Sequence, residues 1–176
     1  MGAYYEATLD TVRYDTHSLD NGLKLMEHSY LENNYCIAVE QKLLEKARKL
    51  IWLCDYHTPD SRCNLEWVTT DEKEFETSEV DLDLIKKNRY VINLDKGEYF
   101  STQQLIDNVN DKDAWIIHPL PLLTNSETGS MGGGDYHEEL SWRSSWCNDT
   151  IKVSLDKNEV ENLNNISDSV TLTAAY

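Results

Sequence analysis

The residues best able to do chemistry stand at the two ends of a glycine loop. His118 precedes it, and Asp135, His137, Glu138 and Glu139 follow the consecutive glycines Gly132, Gly133 and Gly134. If flanking strands pair across the loop, these groups converge. A His–Asp pair can move protons, and imidazoles with carboxylates can hold a divalent ion. His118, Asp135 and His137 therefore define one reading, a small metal-assisted hydrolase or nuclease. The plainer reading has His118 closing a strand and Asp135 holding a turn through its own side chain. No nucleophile, base and orienting group can be picked out by spacing, so neither a catalytic residue nor a metal ligand is assigned. The glycine run lacks the Lys-Ser or Lys-Thr of a P-loop and the spaced glycines of a dinucleotide fingerprint. The carboxylates beside it would also repel a phosphate, and no cofactor is expected. Cys54, His57 and Cys63 lack the second close ligand pair of a zinc site.

A second feature is the acidic block of Asp71, Glu72, Glu74, Glu76, Glu79, Asp81 and Asp83, opposed only by Lys73. Such a run is ordinarily a solvated loop. It is also a ready anionic strip, and Val80, Leu82, Leu84 and Ile85 imply that its end packs down on the body as a short helix. Across the chain, 32 acidic residues face 16 basic ones, a net charge of −16. Small soluble domains usually carry about 2 to 8 charges in excess. This balance excludes direct nucleic-acid binding, which needs a basic footprint. It permits docking on the basic groove of a nucleic-acid-binding protein. The block, together with Glu138 and Glu139, supplies the candidate partner-binding residues.

These groups must be positioned by a fold that the pattern describes as one α+β domain over residues 1–176, with a mostly antiparallel sheet and two or three helices. Strands are expected at 3–9, 11–14, 51–54 and 65–69, and a hairpin at 90–100 turns at Lys96-Gly97. Leu23, Met26 and Tyr30 recur at helical spacing. A core-packing helix is expected over 35–49, with Lys46, Arg48 and Lys49 in its last turn. Ser101 or Thr102 caps another over 102–109. Residues 114–117 read as a central strand ended by His118-Pro119. Two more strands, 141–146 and 150–155, place Trp142 and Trp146 on one face, and the tail gives a short helix near Val160 and Leu163 and a last strand at 170–174.

No apolar run approaches the roughly 20 residues of a membrane span. The N-terminus lacks a basic-then-apolar leader, and Glu6 stands where a myristoylation signal has Ser or Thr. Cys36, Cys54, Cys63 and Cys147 read as reduced thiols of a cytoplasmic protein.

Leu122 to Thr124 (LLT), Gly132 to Tyr136 (GGGDY), Trp146 to Ile151 and the hairpin YVINLDKGEYF together resemble a group of small uncharacterised bacterial and mobile-element proteins. The resemblance covers the middle and C-terminal half and implies a shared fold, with no catalytic residue carried over. Where that pattern has Gly-Asp after the tryptophan, this chain has Cys147, Asn148 and Asp149. In charge and style the chain also resembles the phage-borne anti-CRISPR proteins. That likeness implies an inhibitor that mimics DNA and binds Cas9, or its guide-RNA complex, in a bacterial cytoplasm. The hydrolase is the alternative, and a structural or regulatory mobile-element protein without a nuclease partner is a third. Homodimerisation through a strand edge stays open.

Overall fold

Tyr5–Leu9 and Val12–Asp15 form strands β1 and β2, a hairpin turned by Asp10 at a φ of 55°. Asp is among the few non-glycine residues that tolerate this left-handed region. The computed structural model describes residues 2–56, 71–126, 134–136 and 140–174. The expected strand at 65–69, and His57, Cys63, Gly132, Gly133, His137, Glu138 and Glu139, lie outside them.

Helix α1 is a single turn, Leu25–His28, and α2 spans Asn34–Glu45. Asn33 caps α2 by accepting from the N–H groups of Tyr35 (2.9 Å) and Cys36 (3.3 Å). The helix stops earlier than the periodicity implies. Lys46 is already extended, and Arg48–Cys54 form strand β3. Pairing decides this. β3 runs antiparallel to β1, from Tyr5↔Cys54 to Leu9↔Leu50, and its start pairs with Ile151 and Thr150. Those long-range ladders override the helical pattern of Lys46 to Leu50.

Asp71–Glu74 form β4. Tyr90–Asn93 and Glu98–Ser101 form the hairpin β5–β6, with Gly97 at a φ of 63°. Ser101 then caps α3 (Thr102–Asp107) through Gln104 N–H. Trp115–Ile116 form β7, Pro119–Thr124 α4, Thr150–Ser154 β8, Asn164–Asn165 β9, Ser167–Val170 α5 and Thr173–Ala174 β10. One sheet has the order β4-β2-β1-β3-β8-β5-β6-β9, with β2–β4 and β6–β9 parallel and the other pairs antiparallel. The architecture is α+β. Among the described residues it has three helices of six residues or more, α2, α3 and α4, and two four-residue turns, α1 and α5. No helix among the described residues is long and apolar enough to cross a membrane.

Further expectations change. Residues 114–117 are not a central strand: β7 has two residues, pairs with β10 in a separate small sheet, accepts Leu31 N–H at Ile116 O (3.0 Å), and leaves Trp115 53% exposed. His118 does not merely end a strand, since it caps α4, which starts with Pro119 at its first position, where a missing N–H costs nothing. Residues 141–146 are successive turns, with Ser144 and Asn148 at positive φ. This segment closes α4 by donating Ser144 N–H to Leu122 O (2.9 Å) and Trp146 N–H to Leu123 O (2.7 Å). Trp146 is fully buried as expected, and its indole N–H donates to Glu98 (2.7 Å). Cys36 and Cys54 are free thiols, whereas Cys147 is disulfide-bonded and so departs from the expected thiol.

Candidate functional site

The acidic block is exposed along its length yet fastened at several points. Among the described residues β4 is the terminal strand of the sheet, and all four of its residues are exposed. The next residue, Phe75, is 4% exposed and stacks on Tyr14 with ring centroids 4.3 Å apart. Its N–H donates to Ser18 Oγ (3.1 Å). From α2, Gln41 donates to Glu79 O (2.7 Å) and accepts from Asp81 N–H (3.0 Å). Short 3-10 turns at Thr77–Glu79 and Leu82–Lys86 follow, the second buried through Leu84 and capped by Asp81. Leu84 and Ile85 thus pack as the sequence implies, but Leu82 stands 52% exposed among the carboxylates.

The exit of the block is held by a buried charge set. Arg89 donates from Nη1 to the carbonyls of Leu84 (2.9 Å), Ile85 (3.1 Å) and Lys87 (3.0 Å). Its Nε meets Glu40 Oε2 of α2 at 2.5 Å, and His118 Nε2 meets Glu40 Oε1 at 2.8 Å. Leu120 N–H donates to His118 Nδ1 (3.2 Å), so the imidazole proton sits on Nε2 and points at Glu40. Burial pushes the Glu40 carboxyl up, but the His118 hydrogen bond and the Arg89 charge outweigh it and hold it below the usual range. Neither Glu40 nor Arg89 stood out in the sequence. A carboxylate in the middle of an otherwise apolar helix face, Cys36 to Val39 and Leu43, was the available signal.

Strand register puts further charge beside the block. Thr8 pairs with Arg13 and Arg13 with Glu72, so Glu6, Arg13, Asp15, Glu72 and Glu74 share one face of the sheet. Arg13 forms ion pairs with Glu6 (3.1 Å) and Glu72. A cleft of about 260 Å³ lies here, bordered also by Tyr4 and Asp55. Burial raises Glu6 above the ordinary carboxylate range; Arg13 offsets part of this and Asp15 adds to it. The arrangement is a negative surface with a single guanidinium set in it. A smaller cleft, about 150 Å³, is lined by Gln41 and Glu45 of α2 and by Phe75 and Glu79.

The two described members of the proposed catalytic set lie in separate networks. His118 is buried in the Glu40–Arg89 set just given. Asp135 is 1% exposed and accepts from Tyr5 Oη (2.9 Å) and, at both oxygens, from Arg143 Nη2 (3.0 and 2.8 Å). It also accepts from the adjacent Tyr136 N–H at 2.7 Å. Asp135 and His118 share no partner among the described residues. Burial and the Asp135 charge raise the Tyr5 phenol well above its usual range, so it stays protonated as a donor. Gly134, at a φ of 85°, accepts from Met26 N–H (3.0 Å) and ties the end of the glycine loop to α1. No group of three or more His, Cys, Asp or Glu among the described residues is arranged to hold a metal.

No protein-family model matches this chain, and neither a curated protein nor a solved structure is significantly similar to it.

Proposed function

We propose that the protein is a non-enzymatic inhibitor that occupies the basic nucleic-acid channel of a partner, in the manner of an anti-CRISPR protein on Cas9 or its guide-RNA complex, within a bacterial cytoplasm. The observation that carries this reading is the anchoring of the acidic block. Asp71 to Asp83 present their carboxylates to solvent while Phe75, Gln41 and Arg89 fix the backbone beneath them. A strip already ordered loses less entropy on binding than a mobile one. Glu6, Asp15 and Asp55 extend the negative surface beyond the block. A guided nuclease holds its duplex in a positively charged channel, and such a surface is complementary to it. Exposed ion pairs contribute only about 0 to 1 kcal/mol each. Exposed apolar groups beside the carboxylates, Leu82 first, supply the remaining hold in this reading.

The test is a titration of a guided nuclease at two salt concentrations. Inhibition saturates at one chain per target and weakens as salt rises, and replacing Glu72, Glu74, Glu76 and Glu79 together by Gln lowers affinity at least ten-fold. Undiminished inhibition by that variant, or catalytic turnover far below stoichiometric amounts, overturns the reading.

A further inference from the structure

We infer that the open edge of β4 takes up an extended basic segment of the partner as an additional strand of the sheet, an inference that rests on the docking reading above. Among the described residues β4 ends the strand order, and Asp71 to Glu74 are all exposed. Asp71 donates its N–H to Thr11 O (2.9 Å), within the parallel register Val12↔Asp71 and Tyr14↔Lys73. Backbone groups alternate sides along a strand, so Asp71 and Lys73 turn theirs to β2 while Glu72 and Glu74 turn theirs to the open side. Unpaired N–H and C=O groups in a row are a template for another strand.

The side chains specify which strand. Glu72 and Glu74 lie on the face that carries Arg13, and Asp71 and Lys73 lie on the other. Residues directly opposite on an added strand would stand about 4.5–5.5 Å away. Cations at alternate positions therefore meet Glu72 and Glu74, and the residue between them faces Lys73, where a neutral or acidic side chain fits. A second copy of β4 does not match. An antiparallel register with Lys73 against Lys73 sets Glu72 against Glu74, and one with Lys73 against Glu72 sets Asp71 against Glu74. The other end of the sheet, β9, is two uncharged residues long and offers no comparable edge.

The probe is a fluorescein-labelled peptide of alternating arginine and threonine, with two analogues of equal charge, each N-methylated on one alternate set of backbone amides. With the full chain at low salt, the plain peptide binds and slows amide hydrogen exchange at Glu72 and Glu74. One analogue loses at least ten-fold in affinity and the other keeps it, because only one set of amides faces β4. If both analogues bind like the plain peptide, or the plain peptide does not bind, strand addition is wrong. Loss of nuclease inhibition in the Glu72, Glu74, Glu76, Glu79 to Gln variant would still uphold charge-based docking. If that variant inhibits like the wild type, the docking reading itself fails, whatever the peptides do.

Discussion

Phe75 lies almost flat on Tyr14, with 4.3 Å between ring centroids and 14° between planes. Tyr35 meets Phe75 edge-on at 5.7 Å. It also bridges β1 and β2, its hydroxyl accepting from Ala7 N–H (2.7 Å) and donating to Tyr14 O (2.6 Å). The most acidic segment of the chain is thereby joined to the aromatic core through one side chain.

Phe75→Ala follows from this directly. Removing a buried phenyl ring costs about 3–5 kcal/mol, and urea unfolding should show a loss of that size. Exchange at the amides of Asp71 and Lys73, which pair with β2, should accelerate more than at β5. Equal acceleration in both strands would mean that Phe75 is not the local anchor.

The Glu40–Arg89–His118 set gives a second test. Glu40→Ala leaves the Arg89 guanidinium buried without its carboxylate, at a cost of about 3–5 kcal/mol. A Glu40→Leu, Arg89→Met double variant should lose less than either single change. The folded-state pKa of Glu40 is depressed, so its contribution is present above the unfolded carboxylate value, about 4.3, and is lost as pH falls below it. Unfolding free energies of wild type and double variant, compared from pH 5 downward, measure this.

His28 sets a separate acid window. It is fully buried; its Nε2 accepts from Trp52 Nε1–H (2.8 Å) and its Nδ1–H donates to Gly22 O (3.0 Å). Burial lowers its pKa from 6.5 to about 4. Between those values the unfolded chain binds more protons than the folded one, so stability rises with pH across that interval. It is complete above about 6.5 and falls on acidification until about pH 4, by about 3 kcal/mol. His28→Gln should flatten that slope relative to wild type. An unchanged slope between pH 6.5 and 4.5 would assign it to other groups.

Gly134→Ala tests the end of the glycine loop. At a φ of 85° an L side chain is strained, and a Cβ there would run into the Lys24 side chain. About 1–2 kcal/mol should be lost from the backbone conformation alone. Adding Lys24→Ala should recover only the steric part, measured as the difference between the two unfolding midpoints.

The strands with their own turn chemistry could be read from the sequence. Residues 90–100 form the β5–β6 hairpin turned by Gly97, and 11–14 overlap β2, Val12–Asp15, close to Asp10. Ser101 caps α3 as expected. Other features carried a local signal that pointed elsewhere or was weak. Pro119 at a helix start was consistent with α4, but His118-Pro119 also reads as the end of a strand. Lys46 to Leu50 fit a helical face, and only their ladders to β1 and β8 make them strand. His118 and Asp135 flank one loop in sequence but turn to different partners in space, because Glu40 and Arg143 bond them in separate parts of the structure.

The sequence alone determined the composition of this protein's surface: an excess of carboxylates concentrated at Asp71 to Asp83, with apolar residues spaced so that the segment could not be wholly free. Charge and periodicity are local properties and survive in a string of letters. Only the tertiary structure decided that Asp71 to Glu74 form the outermost strand among the described residues, that Phe75 pins the segment, and that Glu40 and Arg89, 49 positions apart, meet beneath its exit. Those facts depend on strand register and on the cost of leaving a charge unpaired in the core, which are settled when distant parts of the chain close on one another.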